Sequence, residues 1–115
     1  EKFIGLFAER GYLYDVSVGK KYFGREVGNL VENFKKSFPD MHRKLHTVSV
    51  AGDVVVVELS LNGTQKGEVI LPTKSYPISG RVISVPCCDV WTVKDGKVES
   101  FHCYVATSIM EMQLS

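Results

Sequence analysis

Nothing in these 115 residues forms a long run of one charge. Lys+Arg number 14 and Asp+Glu 13, a formal net charge of +1, and the longest like-charge runs are pairs such as Lys20-Lys21 and Lys35-Lys36. That excludes the basic footprint used to grip phosphate backbones or anionic lipid, so neither nucleic acid nor membrane is an expected partner. No apolar stretch approaches the roughly 18 residues of a membrane span. The opening Glu1-Lys2-Phe3-Ile4-Gly5 has no basic segment followed by an apolar run, so no signal peptide is visible. Because the chain opens on Glu1 rather than Met, a leader could have been removed. Cysteine is scarce: Cys87, Cys88 and Cys103 are an odd set without C-x-x-C spacing, which fits neither a disulfide framework nor a zinc site. Three reduced thiols in a cytoplasmic protein is the expectation, with Cys87 and Cys88 on opposite faces of a strand, and no metal or cofactor. Repeats, low-complexity tracts and long linkers are also missing. With 44% of residues hydrophobic, residues 1–115 read as one domain able to bury its own core.

What is present is an α+β pattern. Phe3, Ile4, Leu6 and Phe7 have helical spacing and stop before Gly11, which predicts the tail of a helix, short as if an earlier part were missing. Tyr12 to Val16 predicts a short strand. From Arg25 to Phe38 the apolar residues Val27, Leu30, Val31, Phe34 and Phe38 recur every three to four positions, an amphipathic helix ended before Pro39. Leu45, Val48 and Val50, then Val54 to Leu61, predict two strands joined by a tight hairpin at Gly52-Asp53. Arg81 to Val93 is a long strand turned by Asp95-Gly96 into a last strand, Val98 to Val105. Period two puts Ile83, Val85, Cys87, Asp89, Trp91 and Val93 on one face of the long strand. Its other face is also largely apolar, so both are expected to be covered.

Phe7-Ala8-Glu9-Arg10 with Asp15, Gly24-Arg25-Glu26, Phe38-Pro39-Asp40, Gly52-Asp53-Val54-Val55, Gly63-Thr64 with Gly67, and Asp89 to Val98 follow in this order along nearly the whole chain. Together with the closing Met112-Gln113-Leu114 they resemble the SnoaL-like polyketide cyclases and ketosteroid isomerase relatives of the nuclear-transport-factor-2-like superfamily. The resemblance implies a cone-shaped, strongly curved antiparallel sheet wrapped around N-terminal helices, a cystatin-like topology, with an internal apolar cavity and frequent homodimers packed through the sheet. It also implies a longer first helix than this chain has; the oxyanion-binding Tyr that the isomerases carry there has no counterpart here.

The resemblance places Asp15 where ketosteroid isomerases hold their general base, and Asp89 where they hold a protonated oxyanion-hole Asp, a worked case of a carboxyl kept neutral. Independently, a carboxyl at the mouth of an apolar cavity can move a proton next to a carbonyl. A carboxylate among Cys87 and Trp91 must be neutral or paired. The plainer alternatives are a turn role for Asp15 and a buried ion pair for Asp89. His102 and Tyr104 share a parity with Ala106, which stands where SnoaL-like cyclases commonly have a cavity-facing Asp, seven residues before the Gln of the closing motif. His102 and Tyr104 are then candidate proton donors, or, on the plainer reading, half-buried strand residues. Leu13, Cys87, Trp91 and Ala106 are the candidate ligand-contacting residues. Trp91, Tyr12, Tyr14 and Phe101 read as core or subunit interface, because no basic groove accompanies them. His42 and His46 lack a third ligand, and Gly63 to Gly67 lacks the pattern of a phosphate loop.

Two functions follow. One is a cofactor-free isomerase, cyclase or lyase acting on an apolar carbonyl compound, with Asp15 as base and Asp89, His102 or Tyr104 holding the enolate. The other is a non-catalytic binding or dimerisation module for an apolar ligand, favoured by the losses at the first helix and at Ala106.

Overall fold

A computed structural model of the chain describes residues 4–72 and 74–115. A 3-10 turn, Ile4–Leu6, leads into β1 (Phe7–Asp15), β2 (Lys20–Phe23), α1 (Arg25–Ser37), β3 (His42–Ala51) and β4 (Val54–Thr64). Then come β5 (Val69–Ile70), β6 (Ser75–Tyr76), β7 (Val82–Lys94), β8 (Lys97–Val105) and α2 (Thr107–Leu114). Six strands form one sheet in the order β2-β1-β8-β7-β4-β3, while β5 and β6 make a separate small ribbon. All pairs of the large sheet are antiparallel except β1 with β8, which is parallel, so the sheet is mixed.

The hairpins expected from Gly52-Asp53 and Asp95-Gly96 are present, with Gly52, Asp95 and Gly96 all at positive φ. The amphipathic helix is also where its spacing puts it. Val27 is fully buried, Leu30 and Phe34 pack inward, and Lys35 and Lys36 sit in the last turn, where cations suit the helix dipole. Two expectations fail. The segment ending before Gly11 is no helix: strand β1 begins at Phe7 and runs through Gly11, because long-range pairing of Phe7 with Val98 outweighs helical spacing. Gly11 permits that pairing; a Cβ there would lie 2.5 Å from the Val98 carbonyl oxygen. Phe3, part of that expected helix, lies outside the described residues.

The second failure concerns β7, which is covered on one face only over its first half. Ile83, Val85, Cys87 and Asp89 are buried, whereas Ser84 and Pro86 are exposed and Val82 is 70% exposed. Val27, Leu30 and Phe34 of α1 and Met110 and Leu114 of α2 pack on the inner face, and among the described residues no layer covers the outer one.

Two apolar clusters fill the inner side. The larger joins Phe38, Leu59, Leu61, Ile83 and Val85 with Met110 and Leu114 of α2. The smaller joins Leu13, Val27, Val98 and Phe101. Trp91 and Cys103 pack against both. The closing motif completes the edge of the sheet. Strand β8 ends at Val105, and the Gln113 side-chain amide then bonds both backbone groups of Ser84, the N–H and the carbonyl at 2.8 Å each. A helix side chain thereby takes the place of the missing strand.

Candidate functional site

The sheet register brings the predicted acids onto one row. Cys103 of β8 faces Asp15 on β1 and Asp89 on β7, and Val57 of β4 continues the row beyond Asp89. Paired residues point to the same face, so Asp15 and Asp89 share the inner surface, separated by one strand. Leu13, Cys87 and Trp91 share that surface; Trp91 stacks on Phe101 with ring centroids 3.8 Å apart.

Asp15 stands at the end of β1, where the chain turns into β2. One of its carboxylate oxygens accepts the Ser17 N–H at 3.1 Å and the Ser17 hydroxyl at 2.5 Å. It also borders a half-open pocket of about 500 Å³. Leu30, Phe34 and Phe38 of α1 and its C-terminal end form one wall, Val69 and Leu71 another, and Val105 and Met110 the third. Tyr22 of β2 also lines it. Burial first, then the charges of Asp15 and Glu26, push the Tyr22 phenol above its ordinary value of 10.0, so it stays a proton donor across the neutral range. Tyr22 was not among the residues expected from the sequence. Its signal was faint: a period-two count across the Asp15 to Lys20 turn.

The wall opposite α1 is held by a polar staple. Gln65 is fully buried; its side-chain amide donates to the carbonyls of Gly67 and Tyr76 and accepts the Ser79 hydroxyl. The N–H groups of Lys66 and Gly67 bond the Ser37 carbonyl at the end of α1, and the Ser37 hydroxyl bonds the Glu68 carbonyl at 2.8 Å.

Asp89 is wholly buried and forms an ion pair with Arg43 of β3, whose side chain is 38% exposed. The pairing explains how a carboxylate survives at 0% exposure, and it replaces the neutral hydrogen-bond donor implied by the family resemblance. No local pattern announces Arg43, which is 46 residues away in sequence and reaches across β4. The other Asp89 oxygen accepts from the Cys87 thiol at 3.4 Å, and Cys87 in turn lies 3.8 Å from Cys103, sulfur to sulfur. The bond to Cys103 holds the Cys87 thiol below its ordinary value of 9.0 against the effect of burial, and Arg43 assists. The same bond, followed by burial, pushes Cys103 up.

His102 and Tyr104 do not join this row. Strand alternation puts them opposite Phe101 and Cys103, on the outer face, where His102 meets the Tyr12 hydroxyl at 3.2 Å and Tyr104 is 45% exposed. Their expected access to an inner ligand is therefore corrected. Ala106 lies one residue past β8 and caps α2 by accepting the N–H groups of Ile109 and Met110. Its neighbours Val105 and Thr107 border the pocket.

The fold has counterparts among known proteins. A protein provisionally described as a SnoaL-like polyketide cyclase, from a Jannaschia species, superposes with a TM-score of 0.85 at 22% identity, covering 96% of this chain and 74% of that one. A second so described, from Shewanella putrefaciens, gives 0.79 at 16% identity over 98% and 82%. A protein with a ketosteroid isomerase-like fold from Catenulispora acidiphila, solved with trimethylamine, gives 0.78 at 20% identity over 96% and 78%. Comparison with curated protein sequences found no match. The profile of the SnoaL-like domain matches residues 1–101, nearly the whole of the chain, and the protein belongs to the SnoaL-like domain family.

Proposed function

We propose that the protein acts on a small, apolar carbonyl compound by proton transfer, as an isomerase, cyclase or lyase, with Asp15 as general base and Tyr22 as hydrogen-bond donor to the developing enolate. The observation that carries this reading is that Asp15 and a Tyr22 that feels its charge both line a pocket walled by Leu30, Phe34, Phe38, Val69 and Met110. An apolar pocket with a few convergent polar groups is the usual form of a small-molecule site. Relatives described as polyketide cyclases support the substrate class. The Ser17 bonds orient the Asp15 carboxylate and leave its second oxygen for the substrate.

The test is exchange of carbon-bound protons for deuterium in a panel of apolar ketones, followed by NMR. Asp15→Asn is expected to slow exchange by about 10²–10⁴-fold while the far-ultraviolet spectrum stays unchanged. Tyr22→Phe should slow it less and leave ligand affinity nearly intact. The alternative is a binding module, favoured by the turn role of Asp15 towards Ser17. It predicts ketone binding without exchange, equally in the wild type and in Asp15→Asn.

The same reading includes a homodimer joined through the outer sheet face, which offers Val82 and Tyr104 to solvent. Three free thiols agree with a cytoplasmic setting. No helix among the described residues is long and apolar enough to cross a membrane.

A further inference from the structure

We infer that Cys87, Cys103 and Asp89 form a binding site for a soft divalent cation of the zinc class on the inner face of the sheet. Sequence spacing could not suggest it, because Cys103 is brought in from the next strand: Asp89 lies two residues after Cys87, on the same face, and faces Cys103 across the β7 to β8 pairing. One atom from each residue, the two sulfurs and a carboxylate oxygen, lie within 4.8 Å of one another.

Two of the three separations match a metal's coordination shell. Two thiolates at about 2.3 Å from a tetrahedral zinc stand about 3.8 Å apart, and a thiolate and a carboxylate oxygen about 3.5 Å. The protein holds the sulfurs 3.8 Å apart and the Cys87 sulfur 3.4 Å from the Asp89 oxygen. A disulfide suits the same pair less well. In register Cys87 faces Val105 and Cys103 faces Asp89, so the cysteines are diagonal neighbours. Diagonal Cα atoms lie roughly 7–8 Å apart, beyond the usual disulfide range of about 4.4–6.8 Å.

Arg43 completes the site rather than opposing it. It binds the other Asp89 oxygen, so it fixes the carboxylate and leaves the oxygen nearest Cys87 for the metal. Two thiolates and one carboxylate against one divalent cation and one guanidinium leave the buried cluster neutral, which low polarity demands. The cation enters as the two thiol protons leave, one from each sulfur, to solvent or buffer. Three protein ligands leave a fourth position for water or another donor.

Cobalt(II) is the probe, added to the reduced, full chain under anaerobic conditions. The expected result is one equivalent bound with a thiolate-to-cobalt charge-transfer band, released by excess zinc. Cys87→Ser and Cys103→Ser should each weaken binding by at least tenfold, while Cys88→Ser leaves it unchanged. A missing band, or a band that persists in both variants or is lost in Cys88→Ser, overturns the site. Should the serine variants fail to fold, alkylation of the wild type with mass mapping decides. Zinc must protect Cys87 and Cys103 while Cys88 still reacts, and equal labelling with and without zinc overturns the proposal. Neither readout uses catalysis, so failure here leaves the assignment of Asp15 untouched.

Discussion

Asp40 shows how one exposed carboxylate ties a loop to the sheet. One oxygen accepts the Thr64 N–H at 2.7 Å and the other the Thr64 hydroxyl at 2.8 Å, and these bonds hold its carboxyl below the ordinary 3.8. A lowered folded-state value contributes stability above the unfolded value, lost as pH falls through the folded one. Below about pH 4 the wild type should therefore lose stability more steeply than Asp40→Asn, measured by urea denaturation at stepped pH. Arg43→Ala tests the buried pair. Removing one partner of a fully buried pair costs about 3–5 kcal/mol. Because Arg43 is 38% exposed, water can reach the stranded charge, and about 1–3 kcal/mol is expected in the same assay. The buried Asp89 was legible in the sequence as a group that must be neutral or paired. Its partner was not, because the contact exists only once β3, β4 and β7 align.

At the scale of elements, the pocket depends on how closely the segment after β4 docks on the end of α1. Gly67 lies against the Lys36 backbone, and an added Cβ would be driven into the Lys36 carbonyl. Gly67→Ala should therefore cost about 1–3 kcal/mol and displace the Glu68 to Leu71 wall, which a fall in thermal midpoint together with weakened ketone binding would show. Helix α1 and the β3/β4 and β7/β8 hairpins were legible because local signals carry them: a 3.6-residue period, Gly52, and Asp95-Gly96. The second half of β1 was legible as the strand from Tyr12, whereas its first half was misread because four apolar residues fit helical spacing and its partner there, β8, lies about ninety residues away.

For the molecule as a whole, two inner clusters share Trp91 and Cys103, so neither is expected to unfold alone. Trp91 is the single tryptophan of the chain and stands between them. Its fluorescence and the far-ultraviolet circular dichroism should follow one coincident transition in urea; separate midpoints would show that the clusters melt independently. Ile83, fully buried in the larger cluster, should cost about 2–5 kcal/mol on replacement by Ala, read from the same transition.

The amino-acid sequence by itself determined the α+β class, α1, two hairpins, which residues share a face of β7 with Asp89, and, through its ordered motifs, the family. All but the family rest on short-range periodicity and turn chemistry, which a linear pattern records. Only the tertiary structure decided that β1 pairs in parallel with β8, that Asp15 shares a pocket with Tyr22, that Asp89 answers Arg43, and that His102 and Tyr104 face outward. Each depends on strand order and register, and a shift of one residue would turn every one of those side chains to the other face.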